Sequence, residues 1–231
     1  MATFSSKARN DIFTGKENTF DTYYSNAINP VTINLTTGLA EGGTEVGTDK
    51  LTNIEAAHGG KAADSITGNA KANDLFGYGG NDTILGLDGN DDLYGGDGAD
   101  LLDGGNHNDY LFGGNGDDKL FGCAGNDDLY GDAGDDLLSG GDGNDYLIGG
   151  AGADTMDGGS GFDIFFFGYG SGSDQINFFE KDGVDRLNLQ GQTYSLSESV
   201  PGGDVILTLS GGGTIELNGI TKLEFTNDFL A

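Results

Sequence analysis

Eleven aspartates recur through the middle of the chain at multiples of nine residues: Asp64, Asp82, Asp91, Asp100, Asp109, Asp118, Asp127, Asp136, Asp145, Asp154 and Asp163, with Asn73 in the one gap. A column of short carboxylates at fixed spacing can share cations between its members. The stretch 59–166 holds 22 Asp and no Glu, a selectivity that solubility alone does not require. Only two histidines and one cysteine occur in 231 residues, so nitrogen and sulfur ligands for a softer metal are scarce. Oxygen ligands alone point to a hard cation. Calcium tolerates irregular shells of carbonyls and carboxylates, whereas magnesium gives up its waters reluctantly.

The elements that must position these carboxylates follow from the period. From Gly59 to Phe166 the chain divides into twelve nine-residue units without a gap. Position one is always Gly, position six is Asp in all units but one, and position eight is always apolar, from Ile66, Leu75, Ile84 and Leu93 to Met156 and Phe165. A flexible glycine linker has no reason to keep an apolar column. Gly at positions one, two and four permits positive φ and bares backbone carbonyls, so the first six residues read as a turn that presents oxygens. The last three read as a short strand with position eight pointing inward.

Two units then make an 18-residue coil. Stacking coils about 4.8 Å apart sets the carboxylates in two ladders, one of Asp64, Asp82, Asp100, Asp118, Asp136 and Asp154, the other of Asn73, Asp91, Asp109, Asp127, Asp145 and Asp163. Like charges at that spacing raise one another's pKa unless a cation lies between them. The expected ligands are these carboxylates with the position-one carbonyls of Gly77, Gly86, Gly95, Gly104, Gly113, Gly122, Gly131, Gly140, Gly149 and Gly158. About five gaps in each ladder would hold about ten calcium ions. Asp88, Asp92, Asp97 and Asp128 fall off the ladders and read as solvated turn residues. Ala62, Lys71 and His107 replace the position-four Gly of their units; His107 reads as an exposed turn residue rather than a ligand.

The units resemble the RTX nonapeptide, G-G-x-G-x-D-x-U-x with U apolar. That resemblance implies an all-β parallel β-roll of two sheets, bound calcium, and a secreted, largely bacterial protein. Gly47-Thr48-Asp49-Lys50-Leu51-Thr52-Asn53-Ile54-Glu55 is similar to the lead-in common before such arrays. Gly172-Ser173-Asp174-Gln175-Ile176 is similar to one further divergent unit, which adds Asp174 to the expected metal ligands. Asp182 to Leu189 resembles the strand that follows the array in serralysin-type proteases and lipases, and Asp228-Phe229-Leu230-Ala231 is similar to the terminal tetrapeptide of type I secretion substrates. The implied organisation is an N-terminal β cap with one degenerate repeat over 1–58, a twelve-unit roll over 59–166, and a C-terminal β cap with a type I secretion signal over 167–231. The implied partners are calcium ions and the type I secretion machinery.

Alternating stretches in the flanks read as strands: Val31 to Leu35 before the array, then Val205 to Leu209, Thr214 to Leu217 and Lys222 to Phe225 as antiparallel hairpins closing the far end. A net charge of -28 makes nucleic acid and anionic membranes poor partners. One cysteine allows no internal disulfide, no apolar run reaches the length of a membrane span, and Met1 to Gly15 lacks a signal-peptide pattern. Export independent of a signal peptide is therefore expected. No H-E-x-x-H, G-x-S-x-G, Walker loop or EF-hand run occurs, and His58 and His107 stand apart from any nucleophile, so no catalysis is expected.

Two readings follow from different classes. One is a calcium-folded structural and interaction module; the alternative is the C-terminal, non-catalytic part of a larger secreted protease, lipase or epimerase. An ice-binding solenoid would need a fixed Thr column, which is absent. Position nine carries an unbroken apolar column in alternate units: Phe76, Tyr94, Phe112, Tyr130, Ile148 and Phe166. Such a strip is open to cover by the chain's own flank, to self-association or a protein partner, or to a glycan.

Overall fold

A computed structural model of the chain describes residues 3–5, 12–14, 21–24, 27–42, 47–177, 185–199, 204–221 and 230. Two sheets run through the described residues, one of 10 strands and one of 14. Through the array, consecutive strands alternate between the sheets, and each pairs in parallel with the strand 18 residues on. Ile84 stands opposite Leu102 and Leu102 opposite Leu120 in the larger sheet, while Leu93, Leu111 and Leu129 align in the smaller. The expected two-sheet parallel β-roll is the observed architecture.

Its core is a column one side chain wide. Every position-eight residue from Ile66 to Phe165 is completely buried, because alternation along each strand turns it toward the opposite sheet. The strands themselves are longer than the three residues expected. They run to six, as in Thr83–Asp88 and Asp92–Asp97, because positions one to three of the next unit extend the ladder and only positions four to six turn. Positive φ falls at positions two and four, as at Gly96 (114°) and Gly98 (143°), and not at position one. The invariant Gly at position one must therefore answer to space rather than to backbone conformation.

The flanks extend the larger sheet at both ends. Val31–Asn34 and Leu39–Gly42 form an antiparallel hairpin joined by Gly47–Thr52, and Val31–Asn34 also pairs in parallel with Ser65–Thr67 of the first unit. At the other end the expected strands Asp204–Leu209 and Thr214–Thr221 pair antiparallel, Tyr194–Glu198, not anticipated from the sequence, joins them as the third strand of a meander, and Thr214–Thr221 lies parallel to Ser173–Asn177. Residues 222–225, 182–184, 228, 229 and 231 lie outside the described residues. Among the described residues no helix is long and apolar enough to cross a membrane.

Candidate metal centre

Each turn places its position-six carboxylate inside the coil edge. The eleven aspartates and Asn73 are at most 4% exposed. The N–H of each donates to the Oδ1 of the carboxylate one coil further on, over 2.6 to 3.1 Å, giving two continuous hydrogen-bonded ladders. One ladder runs on from Asp154 to Asp174 and the other from Asp163 to Asp185. Asp174 was expected from its sequence neighbourhood. Asp185 was not, because a 22-residue step hides it from an 18-residue period.

The second carboxylate oxygen tells a different story. Oδ2 of Asp82, Asp91, Asp100, Asp109, Asp118, Asp127, Asp136, Asp145, Asp154 and Asp163 is buried with no hydrogen-bond partner. A buried anionic oxygen without a donor costs several kcal/mol in roughly this environment, and ten of them form a pattern. Each points at the position-one glycine of its own unit. A Cβ on Gly122 would stand 2.5 Å from Asp127 Oδ2 and 2.6 Å from the Gly140 carbonyl oxygen, so those two oxygens converge where a side chain would otherwise be. This is the spatial reason for Gly at position one.

The same convergence brings the carbonyls of Gly77, Gly86, Gly95, Gly104, Gly113, Gly131, Gly140, Gly149 and Gly158 toward the glycine one coil back. The Gly122 carbonyl is the exception: the atoms nearest Gly104 all belong to Asp109. Among the described residues no three His, Cys, Asp or Glu side chains gather at one point. An ion in these turns would thus take one or two carboxylates and complete its shell from carbonyls, as calcium accepts.

Electrostatics agree with the geometry. Burial, reinforced by the carboxylates on neighbouring coils, pushes Asp109 up to about 8, with Asp127 and Asp91 adding to it. Asp82 and Asp118 rise to about 7 for the same two reasons, and Asp91 and Asp174 to about 7 as well. Burial likewise lifts Asp127, Asp136 and Asp145 to about 6 and raises Asp64, Asp100 and Asp154. Without a counter-charge these groups prefer to be neutral.

Asn73 shows how a ladder ends. Its Oδ1 accepts the Asn69 N–H at 2.8 Å and its Nδ2 donates to the Glu55 carbonyl at 3.0 Å. A neutral amide satisfies both sides of the first turn on that edge, where the next carboxylates leave an oxygen unmatched. At the head of the other edge, Asp64 accepts from the N–H groups of Val31 and Gly60 instead. Asp49 of the lead-in is fully buried and accepts the Tyr24 hydroxyl at 2.8 Å.

A further ladder escaped the sequence reading. Position-five side chains accept the position-five N–H one coil on, as in Asn108 to Asn126 to Asn144 to Phe162, on the exposed side of the turn. Position three carries short side-chain pairs: Asp88 accepts from Asn106 and Asp97 from Asn115, at 2.7 and 2.8 Å. These two off-ladder aspartates are therefore exposed but not free. His107 is exposed, holds a positive φ of 82°, and contacts the Asn106 carbonyl.

On the outer face of the smaller sheet, Phe76, Tyr94, Phe112 and Tyr130 stack with centroids 4.6 to 5.0 Å apart and planes within 8°. His58 heads the stack, 4.5 Å from Phe76. Ile148 interrupts it, and Tyr146 bridges toward Phe166 with tilted rings. The column members are half-buried, and inside the stack each ring face meets another ring.

The chain is similar to the extracellular lipase LipA of Serratia marcescens at 17% identity and a TM-score of 0.35, over 79% of this chain and 40% of that one. It thus spans less than half of the lipase. It is also similar to the AlgE6R3 subunit of the Azotobacter vinelandii mannuronan C5-epimerase, at 22% identity and a TM-score of 0.32, over 74% of this chain and 78% of that one. None of the curated proteins compared with it matches. The model of the RTX calcium-binding nonapeptide repeat matches at 58–93, 67–102, 85–120, 103–138 and 130–165. Those segments overlap to cover the repeat-derived carboxylates of both ladders, and residues 58–165 of this chain belong to the RTX calcium-binding nonapeptide repeat family.

Proposed function

We propose that the chain is a non-enzymatic, secreted module that folds when it meets extracellular calcium, with one ion in each inter-coil gap and about ten in all. The observation that carries this reading is the set of ten buried, partnerless Oδ2 atoms, each converging on a position-one glycine. The ligands are the ladder aspartates, Asp174 and the position-one carbonyls. Calcium bound there neutralises two rows of carboxylates, so binding energy becomes folding energy. Sites of the extracellular class, with dissociation constants of roughly 10⁻⁴ to 10⁻³ M, leave the chain unfolded where calcium is scarce. Export through a signal-peptide-independent route, as type I secretion provides, suits such a chain, because an unfolded polymer can be threaded and then locked outside.

Circular dichroism of the full chain in excess chelator tests this. The expected result is a disordered spectrum that becomes β on adding calcium and does not on adding the same concentration of magnesium. A β spectrum unchanged by chelator would overturn the proposal.

A further inference from the structure

On the outer face of the larger sheet lies a cavity of about 750 Å³, between the sheet and the turn that follows Val31–Asn34. Two hydrogen bonds hold that turn against the array, from Leu35 N–H to the Thr67 carbonyl at 2.8 Å and from the Thr36 hydroxyl to the Gly68 carbonyl at 2.9 Å. The volume lies within the 300 to 1,000 Å³ range of small-molecule sites, roughly. None of the calcium-ladder aspartates lines it.

Its walls depart from the repeat at one column. Position two in this sheet is Gly at 105, 141 and 159, but Leu87 and Cys123 occupy it on either side of Gly105. Both hold left-handed backbone, with φ of 87° and 78°, a conformation that glycine adopts freely and other residues resist. Tyr78 and Asp132 of the smaller sheet hold the same conformation at position two, so the backbone belongs to the repeat; what sets Leu87 and Cys123 apart is that their side chains line the cavity. Gly105 between them leaves the gap open, and Leu87 stands 40% exposed over it.

The chemistry of the lining selects a ligand. Leu35, Leu85 and Leu87 give an apolar body. Asp88 and Asp103 stand at its walls, and no Lys, Arg or His lines it. Asp88 accepts one amide from Asn106, and Asp103 accepts only the weak Cys123 S–H at 3.5 Å, so each carboxylate keeps acceptor capacity to spare. We propose that this cavity binds a small organic ammonium ion, with its alkyl part on the leucines and its charge between Asp88 and Asp103.

Cys123 is the only cysteine in the chain, so its alkylation by iodoacetamide reads the cavity directly. Burial and the Asp103 carboxylate hold its thiol up at about 11, which makes the reaction slow enough to follow. Hexyltrimethylammonium, added to the calcium-folded full chain, should protect Cys123 saturably, and hexanol or hexanoate should do so about tenfold more weakly or worse. Leu87→Gly restores the residue the repeat carries at this position, so calcium-induced folding should survive while protection weakens about tenfold. Asp103→Asn should erase the advantage of the cation over hexanol. Absence of saturable protection, or equal protection by hexanol or hexanoate, overturns the proposal. So does protection that grows with protein concentration alone, which would mark a second copy of the chain as the occupant.

Discussion

The repeat array and the C-terminal meander belong to the same fourteen-stranded sheet but are held together differently. An array strand such as Lys119–Ala124 buries one large apolar side chain, Leu120. The cap strand Asp204–Leu209 buries Val205, Leu207 and Leu209, and Thr214–Thr221 buries Ile215, Leu217 and Ile220. The array instead buries a carboxylate in every turn but that of Asn73 and leaves one oxygen unmatched in ten of them; in the described cap no carboxylate is left that way. One sheet can therefore be stabilised by apolar area at its end and by bound charge along its length. The meander should be indifferent to calcium where the array depends on it.

The largest expected separation of the two regions comes from acid. Asp109 sits at about 8 and Asp82, Asp91 and Asp118 at about 7, against an ordinary 3.8. Because the folded-state values are raised, the folded array keeps protons that the unfolded chain has released. Their contribution to calcium-free stability is fully present below 3.8 and lost as pH rises through about 6 to 8. In chelator, β signal should thus grow as pH falls from about 8 toward about 4. With calcium present the sign reverses for binding, since protons compete for the same oxygens, and the calcium midpoint should rise. A calcium-free spectrum flat across that range would break the comparison.

Next in size is one methyl group placed in each region. A Cβ on Gly113 meets the Asp118 carboxylate and the Gly131 carbonyl oxygen, the latter at 2.9 Å, whereas a Cβ on Gly212 meets nothing within 4 Å. Gly113→Ala should cost about 3 kcal/mol of calcium-dependent stability. Gly212→Ala, at φ of 95°, should cost only the left-handed backbone term of about 1 kcal/mol. Equal losses in calcium-saturated melts would show that position one is conserved in the array for backbone reasons after all.

Asp118→Asn should give an effect of about 1 to 2 kcal/mol that changes sign with calcium. It weakens the folded state when calcium is saturating and strengthens it in chelator, where Asn73 already shows a neutral amide serving in a first turn. Paired titrations of variant and parent would detect it, and a loss of stability in both conditions would rule out the charge argument. The smallest expected effect is Asn126→Ala, which removes an exposed acceptor of the Asn144 N–H. It should cost about 0.5 to 1 kcal/mol, the same with and without calcium excess, and a calcium-dependent loss would assign position five to the ion shell.

Much of this was legible in the sequence because a strict period converts position into place. The apolar column at position eight, the two ladders 18 residues apart and the stacked column from Phe76 to Tyr130 all follow from counting by nines. What the period could not convey is the role of absent atoms: Gly at position one matters for the two oxygens that fill its empty side-chain space, and a flexibility argument pointed instead to turns. Counting also fails where the step changes, as between Asp163 and Asp185. The position-five ladder was hidden for a different reason. Its members vary among Asn, Asp, Ala and Phe, since an exposed N–H without a side-chain partner can turn to water.

The direction of the buried ladder makes the roll polar in the way a filament is polar. Each position-six N–H is satisfied by the coil that follows it, so a stack cut after any coil ends in a bare, sheltered donor, while one that begins anew opens with a bare carboxylate oxygen. The two ends need opposite plugs. Val31 supplies an N–H at the first and Asp174 and Asp185 supply oxygens at the last. Exchanging the plugs would set donor against donor and acceptor against acceptor. Lengthening or shortening the stack by whole coils leaves both plugs matched, so the length of such a rod is free to vary while its two ends are not.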